Sequence, residues 1–355
     1  MDIKTLKKVQ ANFLKELKDA NAGKKTSLAY IVHHLPQTKI IDDGEEFQVI
    51  VTGGTVCKEA KVQYQNGKIK ILRKQEVLVK PFITKENFLE FVLHNLDPKT
   101  KHLALNFTFP IKPIFENNKF DGILLNGTKE HEFIGLVGKK VGKEIEKYIF
   151  EKTKSRIKVS VANDTICLLL SALTQYSSDQ IAAGVIGTGV NFAIFKDEKT
   201  PVNLESGNFN KFNVSKQTKE IDAFSKKGGS QLFEKEVAGA YLYKQFNLIL
   251  KEKNLKYAPI GSTAQLNSIA NQSIPKVSQI AIELFEKSAG LVTCQIAAIT
   301  QFKKTDLIFV MEGSLFWHSL RPKVERYLKQ LLPGHKTRFA KIENSEILGA
   351  AKLVC

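Results

Sequence analysis

A chain of 355 residues, 43% hydrophobic and 25% charged, is long enough for two domains of ordinary size and too apolar to remain disordered. Its net charge of +17 raises nucleic acid as a ligand, yet only five of its 53 basic residues are Arg: Arg73, Arg156, Arg321, Arg326 and Arg338. Base reading and bidentate phosphate binding favour Arg, and the Lys residues are interspersed with acids, as in Lys251-Glu252-Lys253, so the charge reads as solvated surface and no nucleic-acid partner is expected.

No apolar run reaches the roughly 18 residues that span a bilayer, and Met1-Asp2-Ile3-Lys4 lacks the apolar core of a signal peptide, so a cytoplasmic protein without a membrane partner is expected. Cys57, Cys167, Cys294 and Cys355 lie far apart with no CxxC pair, and the His residues show no HxxxH spacing. This pattern predicts reduced, mostly buried thiols rather than a disulfide framework or a zinc site.

In chain order, residues 3–18 place Ile3, Leu6, Val9, Phe13, Leu14 and Leu17 near one face of a helix. The polar run Asp42-Asp43-Gly44-Glu45-Glu46 marks a boundary. Phe47–Val51, Val56–Tyr64 and Lys68–Val79 then read as a three-stranded antiparallel meander, with a glycine turn at Thr52-Gly53-Gly54-Thr55 and a hairpin at Asn66-Gly67. Thr84 is placed to cap a helix carrying Phe88, Phe91, Val92 and Leu96. His102–Phe109 reads as a strand ended by Pro110, and Lys119–Leu125 as another extended segment. A helix with Val137, Val141, Ile145, Tyr148 and Ile149 follows.

Lys158–Ala162 is predicted to be a strand, Asn163-Asp164-Thr165 a polar turn, Ile166–Leu173 a helix and Ile181–Ile186 a second strand running into Gly187-Thr188-Gly189-Val190-Asn191. Asn163 and Asp164 then sit at a strand's carboxyl end, where α/β sheets collect ligands, and the Gly-Thr-Gly backbone can approach an anion closely. Phe192–Phe195 completes a hairpin, and Pro201–Asn213 is a polar loop. Helices dominate from Lys219, the strongest being Val277–Phe302. A strand at Leu307–Met311 meets Glu312-Gly313-Ser314, and the last helix begins near Gly349.

Taken singly, a Gly-Thr-Gly or an Asn-Asp-Thr is common and reads as structural. Their order and spacing carry more. Thr52-Gly53-Gly54-Thr55, Phe107-Thr108-Phe109-Pro110, Thr128-Lys129, Asn163-Asp164-Thr165, Gly187-Thr188-Gly189-Val190-Asn191, Asn203-Leu204-Glu205-Ser206-Gly207-Asn208-Phe209, Gly228–Lys235 and Glu312-Gly313-Ser314 together resemble the eukaryotic-type hexokinase/glucokinase family over nearly the whole chain. The resemblance implies an α/β protein with the two-lobe, actin-like and ribonuclease-H-like hexokinase fold, and a cleft between a small and a large domain. It further implies an N-terminal helix in 1–40, a small domain over 41–165, a large domain over 166–342, and a C-terminal helix in 343–355 returning to the small domain.

The same resemblance implies transfer of a phosphoryl group from ATP, with Mg²⁺, to the 6-hydroxyl of glucose or a similar hexose, and no obligatory protein partner. Asp164 is then the general base and Lys129 its catalytic neighbour. Thr108, Thr128, Lys129, Asn163, Asp164, Asn191, Glu205 and Glu234 bind the sugar. Gly53, Gly54, Thr55, Gly187, Thr188, Gly189, Gly313 and Ser314 bind the nucleotide. Departures from the family pattern bear on the nucleotide half. Val51 stands where the family has an Asp that supports Mg²⁺, so no metal ligand is assigned. Val56-Cys57-Lys58 replaces Asn-Phe-Arg, Glu130-His131 replaces Gly-Phe, Ser206 replaces Trp and Glu312 replaces Asp. The alternative that Val51 raises is a sugar-binding regulatory pseudokinase.

Overall fold

The computed structural model describes residues 1–355 except Gln37, Lys129 and Ser273. The chain divides into two compact units assembled from separated stretches. A helical unit comprises Met1–Tyr30, Gly184–Ala193 and Asn203–Ala340; a sheet unit comprises Ile31–Ala183, Ile194–Val202 and Lys341–Cys355.

The sheet unit is built on five strands in the spatial order Lys68–Leu78, Val56–Gln65, Glu46–Thr52, His102–Phe107, Lys158–Ala162. The first three form the expected antiparallel meander. Its Asn66-Gly67 turn has φ of +51° and +77°, the positive pair that a tight two-residue hairpin requires. The last three strands run parallel, with Val51 opposite Asn106 and Asn106 opposite Ala162. Their carboxyl ends are therefore level.

One face of this sheet is covered by the helices Lys85–His94 and Val141–Thr153 over a core that includes Phe88, Phe107, Phe109, Phe133, Ile145 and Val159. The expected Thr84 cap is present as a reciprocal pair. The Asn87 N–H donates to Thr84 Oγ1 and the Thr84 N–H to Asn87 Oδ1, each at 3.2 Å. The Val141–Thr153 helix begins later than its apolar pattern suggested, and its N-cap Lys140 offers no side-chain acceptor. Asp121, which is 4% exposed, serves instead: its carboxylate accepts from the Gly142 N–H at 2.8 Å and the Lys143 N–H at 3.1 Å.

Three further expectations differ from the structure. Ile111–Glu116 is a strand paired antiparallel with Lys119–Leu124, although Pro110 had suggested an end to extended structure. A two-stranded ribbon is all edge, so Pro113 loses little by lacking an N–H. The Asn163-Asp164-Thr165 turn is the first turn of the Asp164–Ala172 helix, with the Asn163 side chain accepting the Ile166 N–H at 3.0 Å. The last helix spans Ser345–Ala351, so Gly349 lies inside it. A Cβ there would overlap the Cys167 carbonyl and stand 2.9 Å from Cys167 Cα. The glycine marks close packing of this helix on the Asp164–Ala172 helix, not a helix start.

The helical unit is organised around Pro275–Lys303, whose residues 288–300 are all buried. Ile3–Asn21 packs along it through Leu6, Val9, Phe13 and Leu17, with its first turn closed by the Asp2 carboxylate accepting the Thr5 N–H at 2.9 Å. Thr263–Ala270 and Arg321–Leu331 pack on it as well. In this unit Ile308–Glu312 runs parallel to Arg338–Ala340. Among the described residues no helix is long and apolar enough to cross a membrane, and Cys57, Cys167 and Cys294 are buried.

Candidate active site

Each unit carries its own group of the sequence-predicted residues. In the sheet unit they emerge from the level carboxyl ends of the three parallel strands: Gly53-Gly54-Thr55 after Thr52, Thr108 after Phe107, and Asn163-Asp164 after Ala162. Thr52 ties the first two ends together. Its hydroxyl donates to the Asn106 carbonyl and accepts the Thr108 N–H, both at 3.2 Å. The Thr108 hydroxyl is buried and has no hydrogen-bond partner among the described residues. A buried unpartnered hydroxyl costs on the order of 1–3 kcal/mol, an expense that a polar ligand would remove.

Asp164 is the first residue of its helix, so its carboxylate lies at the positive end of the helix dipole. Oδ1 accepts from the Thr165 N–H at 2.7 Å, the Thr165 hydroxyl at 3.2 Å and the Asn163 amide at 3.3 Å. These donors fix the orientation of the carboxylate. The Thr128 carbonyl accepts the His131 N–H at 3.0 Å. Lys129 lies outside the described residues. Val51 is buried in the Glu46–Thr52 strand and brings no oxygen to the turn that follows.

In the helical unit, Gly187-Thr188-Gly189 lies between the strands Ile181–Ile186 and Val190–Phe195. All three carbonyls of this turn accept N–H groups: Gly187 from Gly239 at 2.8 Å, Thr188 from Ala240 at 3.1 Å, and Gly189 from Gly187 at 3.0 Å. Carbonyl oxygens repel a phosphate, and here each is committed to a donor. Gly313 follows the Ile308–Glu312 strand with φ of +103°, and a Cβ on it would stand 2.7 Å from the Gly187 nitrogen. Gly313 therefore adjoins the Gly-Thr-Gly turn in van der Waals contact. Ser314 and Thr188 are exposed beside it.

Two of the predicted sugar ligands of this unit, Asn191 and Glu205, belong to one hydrogen-bonded group. The Asn191 amide donates to Asn203 Oδ1 at 2.8 Å and Glu205 Oε1 at 3.4 Å, while its oxygen accepts the Ser206 N–H at 3.1 Å. Asn203 donates to Glu205 Oε1 at 2.7 Å. Glu205 itself sits at φ +50° and ψ +47°, a left-handed conformation that a non-glycine residue adopts at some cost, as is common where a side chain must be aimed. Glu234 accepts the Val190 N–H at 3.1 Å. Burial, and secondarily the charge of Glu205, push the Glu234 carboxyl above its ordinary range.

Sequence reasoning passed over three residues of this unit. Asn203 orients both Asn191 and Glu205, and its place at the head of the Asn203–Phe209 motif was the available signal. The Gly239 and Ala240 N–H groups, which hold the turn's carbonyls, carry no side-chain signal at all. Among the described residues no group of three His, Cys, Asp or Glu side chains is placed to hold a metal ion.

No protein-family model matches the chain. It is 25% identical to Hexokinase-1 of Spinacia oleracea over 261 residues, covering 64% of this chain and 51% of that protein. It is 28% identical to the hexokinase of Emericella nidulans over 289 residues, covering 70% and 57%. The chain thus spans about half the length of the curated relatives it matches. Among solved structures it superimposes on a hexokinase from Schistosoma mansoni complexed with glucose, with a TM-score of 0.80 at 18% identity, covering all of this chain and 95% of the other. A second hexokinase structure gives 0.78 at 21% identity, with 100% and 96% covered. The fold is that of the hexokinases, and in sequence the chain is similar to them at 25–28% identity.

Proposed function

We propose that the protein is a hexokinase-type sugar phosphotransferase that moves the γ-phosphoryl group of ATP to the 6-hydroxyl of glucose or a similar hexose. The observation that carries the reading is the Gly187-Thr188-Gly189 turn, whose three carbonyls are all held by N–H donors, in the same unit as the Asn191–Asn203–Glu205–Glu234 group. A turn of that kind suits phosphates, and a set of mixed donors and acceptors suits a polyhydroxyl ring.

In this reading Asp164 accepts the proton of the attacking hydroxyl. The sugar oxygen forms its bond to the γ-phosphorus as the bond to the bridging oxygen of ADP breaks. Thr108, Thr128, Asn163, Asn191, Glu205 and Glu234 are the residues assigned to the hexose. Lys129 is assigned beside Asp164 from its sequence motif. Gly53, Gly54, Thr55, Gly187, Thr188, Gly189, Gly313 and Ser314 take the nucleotide. Mg²⁺ would be held through the phosphates and water, since Val51 offers no ligand.

The buried Val51 also supports a second reading, a regulatory protein that binds sugar without transferring phosphate. Formation of sugar 6-phosphate from ATP by the wild type and by Asp164→Asn separates the two. Turnover that falls by about 10²–10⁴-fold in the variant is expected. Sugar binding without turnover in the wild type would sink the kinase reading.

A further inference from the structure

The buried imidazole of His131 joins three segments of the sheet unit that each carry candidate site residues. It is 2% exposed. Its Nδ1 faces the Phe82 N–H at 2.9 Å and can only accept there, which puts the ring proton on Nε2. Nε2 then donates to the Gly54 carbonyl at 2.7 Å, in the middle of the Gly53-Gly54-Thr55 turn. The ring lies 5.0 Å from Phe109, the residue after Thr108, and is stacked on Phe133 at 5.6 Å and 18°. Its backbone N–H closes the bend on the Thr128 carbonyl.

The loop that carries it is held in an expensive backbone conformation, with Glu130 at φ +69° and Phe133 at φ +52°. Such residues cost on the order of 1–3 kcal/mol each and persist only where their surroundings enforce them. The Glu132 and Phe133 N–H groups, bonded to the Phe82 carbonyl, supply part of that enforcement. The Thr55 carbonyl is bonded to the Val79 N–H at 2.9 Å, so both carbonyls at the tip of this turn are committed to donors. The Gly187-Thr188-Gly189 turn has its carbonyls held by backbone N–H groups. Here one of the donors is a side chain, at a position where the resembling family carries a Phe that can donate nothing.

We infer that His131 is a positioning residue: its Nε2–H holds the Gly54 carbonyl and thereby fixes the 53–55 turn for the nucleotide's phosphates. The phosphate role rests on the sugar-kinase reading above; the fixing of the turn does not. Three variants dissect it. His131→Gln keeps a donor at reach of Gly54, His131→Asn keeps only an acceptor near the Phe82 N–H, and His131→Phe keeps the ring stacking alone.

Two measurements on the full chain read the outcome: hydrogen exchange of the 53–56 amides without ligand, and calorimetric binding of AMPPNP and of glucose. The inference expects exchange about tenfold faster and AMPPNP binding about tenfold weaker in Asn and Phe, the loss of one hydrogen bond, with Gln within about threefold of wild type. Glucose affinity should change less than AMPPNP affinity in all three. Thermal unfolding of each variant identifies any that fail to fold. Unchanged exchange in Phe and Asn, or a Gln variant as fast as Phe, overturns the inference. If exchange responds as expected while the wild type binds no AMPPNP, the fixed turn stands and the sugar-kinase reading is what fails.

Discussion

Gly313→Ala is the sharpest perturbation of the nucleotide half. Gly313 sits at φ +103°, and its added Cβ would overlap the Ile186 carbonyl oxygen and stand 2.7 Å from the Gly187 nitrogen. Both obstacles are backbone, so neither can swing aside. Restoring an ordinary contact of about 3.5 Å requires the 312–314 bend to move by about 1 Å from Gly187. Gly334 provides the reference, because it has a similar φ of +92° and nothing within 4 Å of its added Cβ. Gly334→Ala should therefore cost only the left-handed conformation, about 1–2 kcal/mol. Gly313→Ala should cost that plus an overpacking charge of about 1–3 kcal/mol. Urea unfolding of the two variants gives the difference directly, provided the slope m is unchanged. AMPPNP affinity should fall for Gly313→Ala and hold for Gly334→Ala. Equal destabilisation of the two within about 0.5 kcal/mol, the scatter of neutral surface substitutions, would refute the reasoning.

Other substitutions test neighbouring claims. Asp121→Ala strands the Gly122, Gly142 and Lys143 N–H groups and should destabilise by about 2–4 kcal/mol, whereas Asp121→Asn keeps an acceptor and should cost less, both read by denaturant unfolding. Glu234→Gln removes a carboxylate whose folded-state pKa is raised above its unfolded value by burial and by Glu205. The ionised side chain therefore opposes folding at neutral pH, and that opposition fades as pH falls through the folded-state pKa. Glu234→Gln should then be more stable than wild type near pH 7, lose the advantage in acid, and bind glucose at least about tenfold more weakly, since a bond to a charged group is worth about 1.5–3 kcal/mol. A constant stability difference across pH would contradict this. Val51→Asp, if Mg²⁺ support is what Val51 lacks, should lower the Mg²⁺-ATP requirement in a coupled assay while destabilising the fold, because position 51 is buried. An unchanged or higher KM would count against that explanation.

Elements whose signal lies in neighbouring residues were legible in the sequence. The meander followed from alternating apolar residues and Asn66-Gly67, the Lys85–His94 helix from Thr84, and the long central helix from its apolar periodicity after Pro275. Candidate site residues were named for a different reason: short motifs, common when taken singly, occur in an order and spacing that resemble those of a known family. Gly349 was misread because a glycine inside a helix and a glycine at a helix start look alike until the Cys167 carbonyl is brought against it. The Ile111–Glu116 strand was missed because Pro113 is harmless only on an edge, and edge position is a property of the sheet.

The sequence by itself determined which residue types are available to the candidate site: the carboxylate at Asp164, the polar set at Asn191, Glu205 and Glu234, the two glycine turns, and the missing carboxylate at Val51. Only the tertiary structure decided what those residues are bonded to. The Asp121 cap, the Asn203 bridge, the Gly239 and Ala240 donors and the His131 donor to Gly54 all join residues a dozen to nearly eighty positions apart. No local pattern encodes such pairs, because the geometry that makes a hydrogen bond possible exists only after the separate segments have been folded onto one another.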